Sequence, residues 1–320
     1  MQVLSNALDK LTYTSFSFTA RVIDEIFLPE YKGSSFRGAF GHNFRRITCV
    51  LKVQECSSCM LSNKCIYKYI FETSPPKDAE NLKNLTNIPH PFIITPPLED
   101  KKYYEAGSII KFDLTLFGRA VEYLSYFALA FHLTGQNGIG RGLGKFVLET
   151  IEDDTGSLIY SSEEKTLKSN FKRNKFSDIT DKLFNNNNNQ ISLNILTPIR
   201  LKYENRYISK LDFHILIRNL LRRLSNIIQF HCDSSVDFDF KHLIDSAYKI
   251  KITDDETYWY DWQRYSSRQD TRMNLGGILG KITYQGDLGQ FYPYLYAGSV
   301  INAGKNTSFG MGKYEIVNSG

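Results

Sequence analysis

Four of the five cysteines fall within seventeen residues, spaced Cys49-x6-Cys56-x2-Cys59-x5-Cys65, while Cys232 stands far away. In a reducing compartment such a cluster reads as a metal site, because four thiolates at this spacing can close a tetrahedron. The expectation is structural zinc, with an iron–sulfur cluster or metal-free thiols as alternatives. A second stretch with chemical character is AGKNTSFGMGKYEI, Ala303 to Ile316, where Gly304, Gly310 and Gly312 alternate with Lys305, Thr307 and Lys313. Glycine lets backbone amides approach a ligand, so this loop reads as a phosphate cradle built from amides and lysine charge. It is not a nucleotide-hydrolase P-loop, which ends in Lys-Ser/Thr and enters a helix, whereas this loop runs into the strand-like KYEI. A polymer backbone therefore suits it better than a mononucleotide; the plain alternative is a β-turn loop.

The third candidate is His42. From Ser34, capped by Ser34 or Ser35, a helix places Phe36, Phe40, Phe44 and Ile47 on one face. His42 and Arg45 point the other way, with Arg37 and Arg46 on the flanks. A histidine off the apolar stripe and among arginines suits proton transfer or anion binding better than core packing. His90, His132 and His214 read as structural. No paired carboxylates, Ser/His/Asp order or acidic cluster is legible, which disfavours two-metal nuclease chemistry. What remains is acid–base RNA cleavage by the ribose 2′-hydroxyl, with His42 as base or acid, Tyr31 as its partner, and Lys52 or Lys305 as the charge facing the phosphorane. No cofactor is expected in catalysis.

These residues need elements to hold them. A chain of 320 residues with 42% hydrophobic content supports two domains. Residues 11–28 alternate as an opening strand, and a turn over Pro29–Gly33 leads into the His42 helix. The cysteine module, about residues 49–70, reads as an insertion. Then come a strand over 108–117, a helix over 119–133, the glycine-rich GQNGIGRGLGKF, and a strand over 146–151. The C-terminus repeats this order with a helix over 288–300, the glycine loop, and a strand over 314–317, which argues for duplication of one βαββαβ unit. A strand over 191–201, a helix over 211–230 and middle strands over 257–268 and 278–284 complete the second copy. The fold expected is therefore α+β, two tandem ferredoxin-like domains: residues 1–152 with the inserted module, a polar linker over 153–190 containing an asparagine tract, and residues 191–320.

Charge favours a polyanion. The net charge is only +5, yet residues 31–52 hold five Lys/Arg and no acid, and residues 200–231 hold seven against two. Arg218 and Arg222 lie together on the outer side of the 211–230 helix. Arg264 and Arg268 alternate along a strand begun by Trp259, Tyr260 and Trp262, forming a candidate phosphate ladder; cross-strand salt bridges are the alternative. The first twenty residues lack the apolar core of a signal peptide and no apolar run is long enough to span a membrane, so a cytoplasmic protein with no membrane partner is expected.

With GSSFRGAFGHNFRR, CIYKYIFE, HPFIITPP, GIGRGLGKF, LIRNLLRRLSNI, DWQRYSSRQDTRMNLGGILGKITY and GKNTSFGMGKYEI assembled, the chain resembles the CRISPR-associated repeat-processing endoribonucleases of the RAMP superfamily nearly end to end. The resemblance implies tandem ferredoxin-like domains and metal-independent cleavage of precursor CRISPR RNA within its repeats, leaving a 5′-hydroxyl and a 2′,3′-cyclic phosphate. It implies repeat RNA as a partner and, in some effector assemblies, other CRISPR effector subunits. The family often places a histidine on or near its first helix, where His42 stands. It often carries another shortly before the terminal Gly-Lys, where this chain has Asn302. A non-catalytic subunit that binds CRISPR RNA is the alternative, and a zinc-bearing protein-interaction scaffold a weaker third.

Overall fold

The computed structural model describes residues 8–52, 56, 58–73, 88–176, 189–236, 238–266 and 271–317. The chain forms two compact units. Tyr13–Asn174 with Phe230–Asp233 make the N-terminal unit; Met1–Thr12, Lys175–Gln229 and Ser234–Gly320 make the C-terminal unit.

In the N-terminal unit, alternation decides the sheet. β1 (Thr12–Val22) buries Thr14, Phe16, Phe18, Ala20 and Val22 on one face. It pairs antiparallel with β3 (Ile109–Phe117), setting Phe16 opposite Leu114 and Phe18 opposite Phe112. With β2 (Phe92–Thr95) and β4 (Phe146–Asp153), the sheet order is β2-β3-β1-β4, the arrangement of a ferredoxin-like βαββαβ unit, extended at one edge by β5 (Leu158–Ser161). α1 (Gly33–Thr48) lays its aromatic stripe against this core. The Phe40 ring lies 4.8 to 5.9 Å from those of Phe44, Phe71, Phe92, Phe127 and Phe131. α2 (Ile66–Phe71) supplies Phe71, and α3 (Leu124–Asn137) supplies Phe127 and Phe131. Asn43 ties the two long helices together: its Nδ2 donates to Thr134 Oγ1 at 3.1 Å, and its Oδ1 accepts from Asn137 Nδ2 at 2.7 Å.

The C-terminal unit repeats the plan. β6 (Gln190–Ile199) is central, and the order β9-β13-β6-β14 is again ferredoxin-like and antiparallel throughout. Its other strands are β7 (Lys202–Tyr203), β8 (Arg206–Tyr207), β9 (Lys251–Asp255), β10 (Tyr258–Tyr260), β11 (Gln263–Ser266), β12 (Thr271–Asn274), β13 (Gly277–Gln285) and β14 (Tyr314–Val317). α4 (Phe213–His231) buries Leu216, Leu220, Leu224 and Ile227 at helical spacing. α5 (Phe240–Ala247) is capped by Asp239, whose side chain accepts from the His242 amide, and α6 (Tyr292–Ile301) precedes the glycine loop. No helix among the described residues is long and apolar enough to cross a membrane.

Four expected elements differ. The opening strand stops at Val22, and Ile26–Phe27 pairs separately with Tyr103–Tyr104. The helix expected over 119–133 starts as a 3-10 turn, Gly118–Tyr123, and continues to Asn137. The stretch after residue 152 is not linker throughout, because Ile159 is buried in the N-terminal core and β5 pairs with β4; residues 177–188 lie outside the described residues. The strand expected over 257–268 breaks at Asp261–Trp262: β10 pairs with β13, whereas β11 forms its own hairpin with β12. Gly276 lies at that break, where an added Cβ would stand 2.3 Å from Asp261 Oδ1 and 2.5 Å from the Trp259 ring.

Candidate functional site

His42 sits on the outer side of α1, exposed, in line with Gly38 and Arg46, which are exposed too. The flanking arginines are partly engaged elsewhere. Arg37 stacks over Phe71 at 4.2 Å and Phe92 at 5.3 Å, and Arg45 lies 5.4 Å over the Tyr67 ring. Such contacts cover the apolar edge of the core with guanidinium planes, leaving Arg46 as the exposed arginine beside His42. Tyr31 and Lys52 flank opposite ends of a helix about 24 Å long. Tyr31 is 8% exposed, poorly suited to meeting a substrate, whereas Lys52 is exposed and holds a positive φ of 51°.

The remaining expected histidines each have a side-chain neighbour. His90 lies nearly parallel to Phe92 with centroids 5.7 Å apart. His132 Nε2 is 3.0 Å from Gln136 Nε2. His214 stacks on Tyr248 at 4.0 Å; burial, and secondarily the charge of Arg218, hold its imidazole below the ordinary value against the opposing pull of Asp212.

The cysteines do not converge as a metal site. Cys56 is buried in the N-terminal core, with Cys65 packed against the same cluster, while Cys49 and Cys59 are half-buried. Among the described residues, no group of three or more His, Cys, Asp or Glu side chains is placed to hold a metal ion. Burial pushes the Cys56 thiol up, and the charge and hydrogen bond of Glu72 add to that, against the lowering effect of Arg45. This environment favours the neutral thiol over the thiolate a metal needs.

The terminal glycine loop is held by its own fold. The amides of Ala303, Lys305, Phe309, Gly310 and Gly312 donate to Gly312, Arg200, Asn306, Thr307 and Pro198 carbonyls. The Gly304 amide donates to Asn219 Oδ1 at 2.8 Å and the Lys313 amide to Thr197 Oγ1 at 2.8 Å. Those amides cannot also cradle phosphate, which corrects that part of the sequence expectation. Gly312 is required for a different reason: at φ 80° a Cβ would stand 1.8 Å from the Ala303 carbonyl oxygen. Thr307 is buried and Lys313 half-buried, so the loop's exposed cation is Lys305. Asn302 is buried as well, donating from Nδ2 to the Met311 carbonyl at 2.9 Å.

Asn219 brings α4 to this loop. Arg218 and Arg222 are exposed one turn apart, and Arg218 lies 5.9 Å over the Tyr203 ring. Tyr203 belongs to the β7–β8 hairpin, which sequence reading overlooked. There Lys202 pairs with Tyr207, and the Glu204–Asn205 turn takes φ of 48° and 63° at both central positions. The missed signal was RLKYENRY, basic and aromatic residues around a two-residue turn. Arg264 lies on β11 opposite Met273, and Arg268 lies outside the described residues.

Residues 193–314 match the family model described as CRISPR-associated endoribonuclease Cas6, and residues 11–172 match the N-terminal domain family AF_1859_N. An uncharacterized protein of Archaeoglobus fulgidus is 22% identical over 308 residues, covering 90% of this chain and 92% of the relative. A chain of a partial Cas6–RT–Cas1–Cas2 complex superposes with a TM-score of 0.61 and 17% identity over 97% of this chain, which spans 46% of that longer one. Thermus thermophilus Cas6 gives a TM-score of 0.54 and 14% identity, covering 96% of this chain and 99% of its own. At these identities the likeness to the solved structures is one of fold: two sheet-rich units of tandem ferredoxin-like type.

Proposed function

From the match of residues 193–314 to the CRISPR-associated endoribonuclease Cas6 family, we propose that this chain cuts precursor CRISPR RNA within its repeats without a catalytic metal. The ribose 2′-oxygen attacks the adjacent phosphorus while its proton passes to a base, and the 5′-oxygen leaves with a proton from an acid. The products are a 2′,3′-cyclic phosphate and a 5′-hydroxyl. His42 serves as the base or the acid. The observation that carries this reading is an exposed histidine on the first helix with Arg46 one turn away. Lys52 faces the charge that develops on the phosphorane, and Arg45, Arg46, Arg218, Arg222, Arg264 and Arg268 contact RNA phosphates. Burial leaves Tyr31 a helix anchor rather than a proton carrier.

Repeat RNA and other CRISPR subunits are the proposed partners. A structural zinc ion or iron–sulfur cluster at Cys49, Cys56, Cys59 and Cys65 is also proposed. Its support is spacing alone, and it requires Cys56 to leave the apolar cluster and Glu72. End-group analysis of repeat RNA incubated with the protein in EDTA tests the reaction. Cyclic phosphate and 5′-hydroxyl ends are expected; 5′-phosphate ends or a requirement for divalent metal would contradict it. One observation favours a second reading, a subunit that binds CRISPR RNA without cutting it: Asn302, where the resemblance leads one to look for a histidine, is committed to the Met311 carbonyl.

A further inference from the structure

The β7–β8 hairpin, which no part of the reading above uses, gathers positive charge around one exposed phenol. The Arg200 guanidinium lies 3.7 Å over the Tyr207 ring and Lys202 Nζ lies 4.8 Å from it. The Arg200 carbonyl accepts from the Lys305 amide at 2.9 Å, which joins the base of the hairpin to the glycine loop. Arg200 is itself fixed, donating from Nη1 to the Gly276 carbonyl at 2.6 Å. None of these three cations has an ion-pair partner among the described residues. Tyr207 is 42% exposed. Burial works to raise its phenol, but the adjacent Arg200 guanidinium and the charges of Lys305 and Lys202 outweigh that and leave it below the ordinary value.

Three cations held without a carboxylate, one of them rigidly stacked, form a place for an anion. A phenol beside them adds a neutral donor suited to a phosphate oxygen. We propose that Lys202, Tyr207 and Lys305 together bind a phosphodiester of the RNA strand above the buried Arg200 guanidinium, which adds its charge from beneath the Tyr207 ring while the Tyr207 hydroxyl donates to a non-bridging oxygen. The site deepens the RNA-processing reading and rests on it for the identity of the ligand. Because phosphate contacts carry no sequence information, the site grips any RNA strand and positions the repeat without choosing it.

The test measures dissociation constants across a salt series for wild type, Lys202→Ala, Tyr207→Phe and Tyr207→Ala. The probes are the repeat RNA and oligo(U) of equal length, and Lys241→Ala, an exposed lysine on α5, is the control. Lys202→Ala and Tyr207→Ala are expected to weaken both RNAs alike, by about five- to tenfold at moderate salt. For Lys202→Ala the salt slope should fall by about 0.7 for a single strand. Tyr207→Phe, which keeps the ring, is expected to lose less than Tyr207→Ala, and Lys241→Ala should keep the wild-type slope. Unchanged affinity and slope in Lys202→Ala and Tyr207→Ala, or a wild type that binds neither RNA, would overturn the site. If the variants weaken both RNAs but wild type shows no preference for the repeat, the phosphate site stands and the repeat-processing reading fails.

Discussion

The Thr197 hydroxyl donates to the Gly310 carbonyl at 2.7 Å and accepts from the Lys313 amide at 2.8 Å, clipping the terminal loop to the end of β6. Thr197 is buried, so replacing it with valine removes both bonds without changing shape. Thr197→Val should lower stability by about 2 kcal/mol, the cost of orphaning a buried carbonyl and amide. Urea denaturation measures this; a loss under about 0.5 kcal/mol would mean the clip does not hold the loop.

Two glycines should respond in opposite directions. Gly38, exposed on α1, has no atom within 4 Å of the place an added Cβ would take, and Gly38→Ala should raise stability by about 0.5 to 1 kcal/mol. Gly312→Ala would drive a methyl against the Ala303 carbonyl and should cost more than about 3 kcal/mol or prevent folding. Thermal melts of both variants decide it.

Asp153 carries a pH signature. Its Oδ1 accepts from the Thr155 and Ser157 amides, each at 3.0 Å, and from the Thr155 hydroxyl at 2.6 Å. Burial would raise the carboxyl, but these bonds prevail and hold it below the ordinary value. A depressed folded value stabilises above the unfolded carboxylate value, about 3.9, and that contribution disappears as pH falls through the folded one. Asp153→Asn should therefore be destabilised at neutral pH and lose less than wild type on acidification below about pH 4. Parallel losses in the two proteins would show that Asp153 contributes no such linkage.

The cysteine module makes a prediction about composition. Protein purified without chelator should carry one zinc ion or one iron–sulfur cluster per chain, and its removal should lower the melting temperature. Elemental analysis that finds neither zinc nor iron would remove the metal and leave Cys56 as the core thiol it is in this structure.

Much of this architecture could be read from local pattern. Phe36, Phe40 and Phe44 on α1, and Leu216, Leu220 and Leu224 on α4, announce their helices because a buried stripe must recur at the helical period. The terminal strand at 314–317 and the duplicated βαββαβ order were legible because the helix, glycine-rich loop and strand order occurs twice. The use of the glycine loop was not, because its amides are taken by Pro198, Arg200 and Asn219, far away in sequence. The β7–β8 hairpin escaped because each of its strands has two residues and its turn reaches positive φ without glycine. Asp261–Trp262 broke a strand that composition made continuous, since Gly276 lets its own backbone close against Trp259. Helical phase placed His42 on the exposed face, yet it could not foresee that Arg37 and Arg45 would turn onto Phe71 and Tyr67.

The most direct test of the proposed reaction is cleavage of labelled repeat RNA from the host's own array in EDTA, comparing wild type with His42→Ala at matched RNA occupancy. Wild type is expected to cut at one position in the repeat, and His42→Ala to bind equally while cutting at least about 100-fold more slowly. Cutting by His42→Ala at the wild-type rate would place proton transfer elsewhere, and tight binding by wild type without cutting would make the chain a CRISPR RNA-binding subunit.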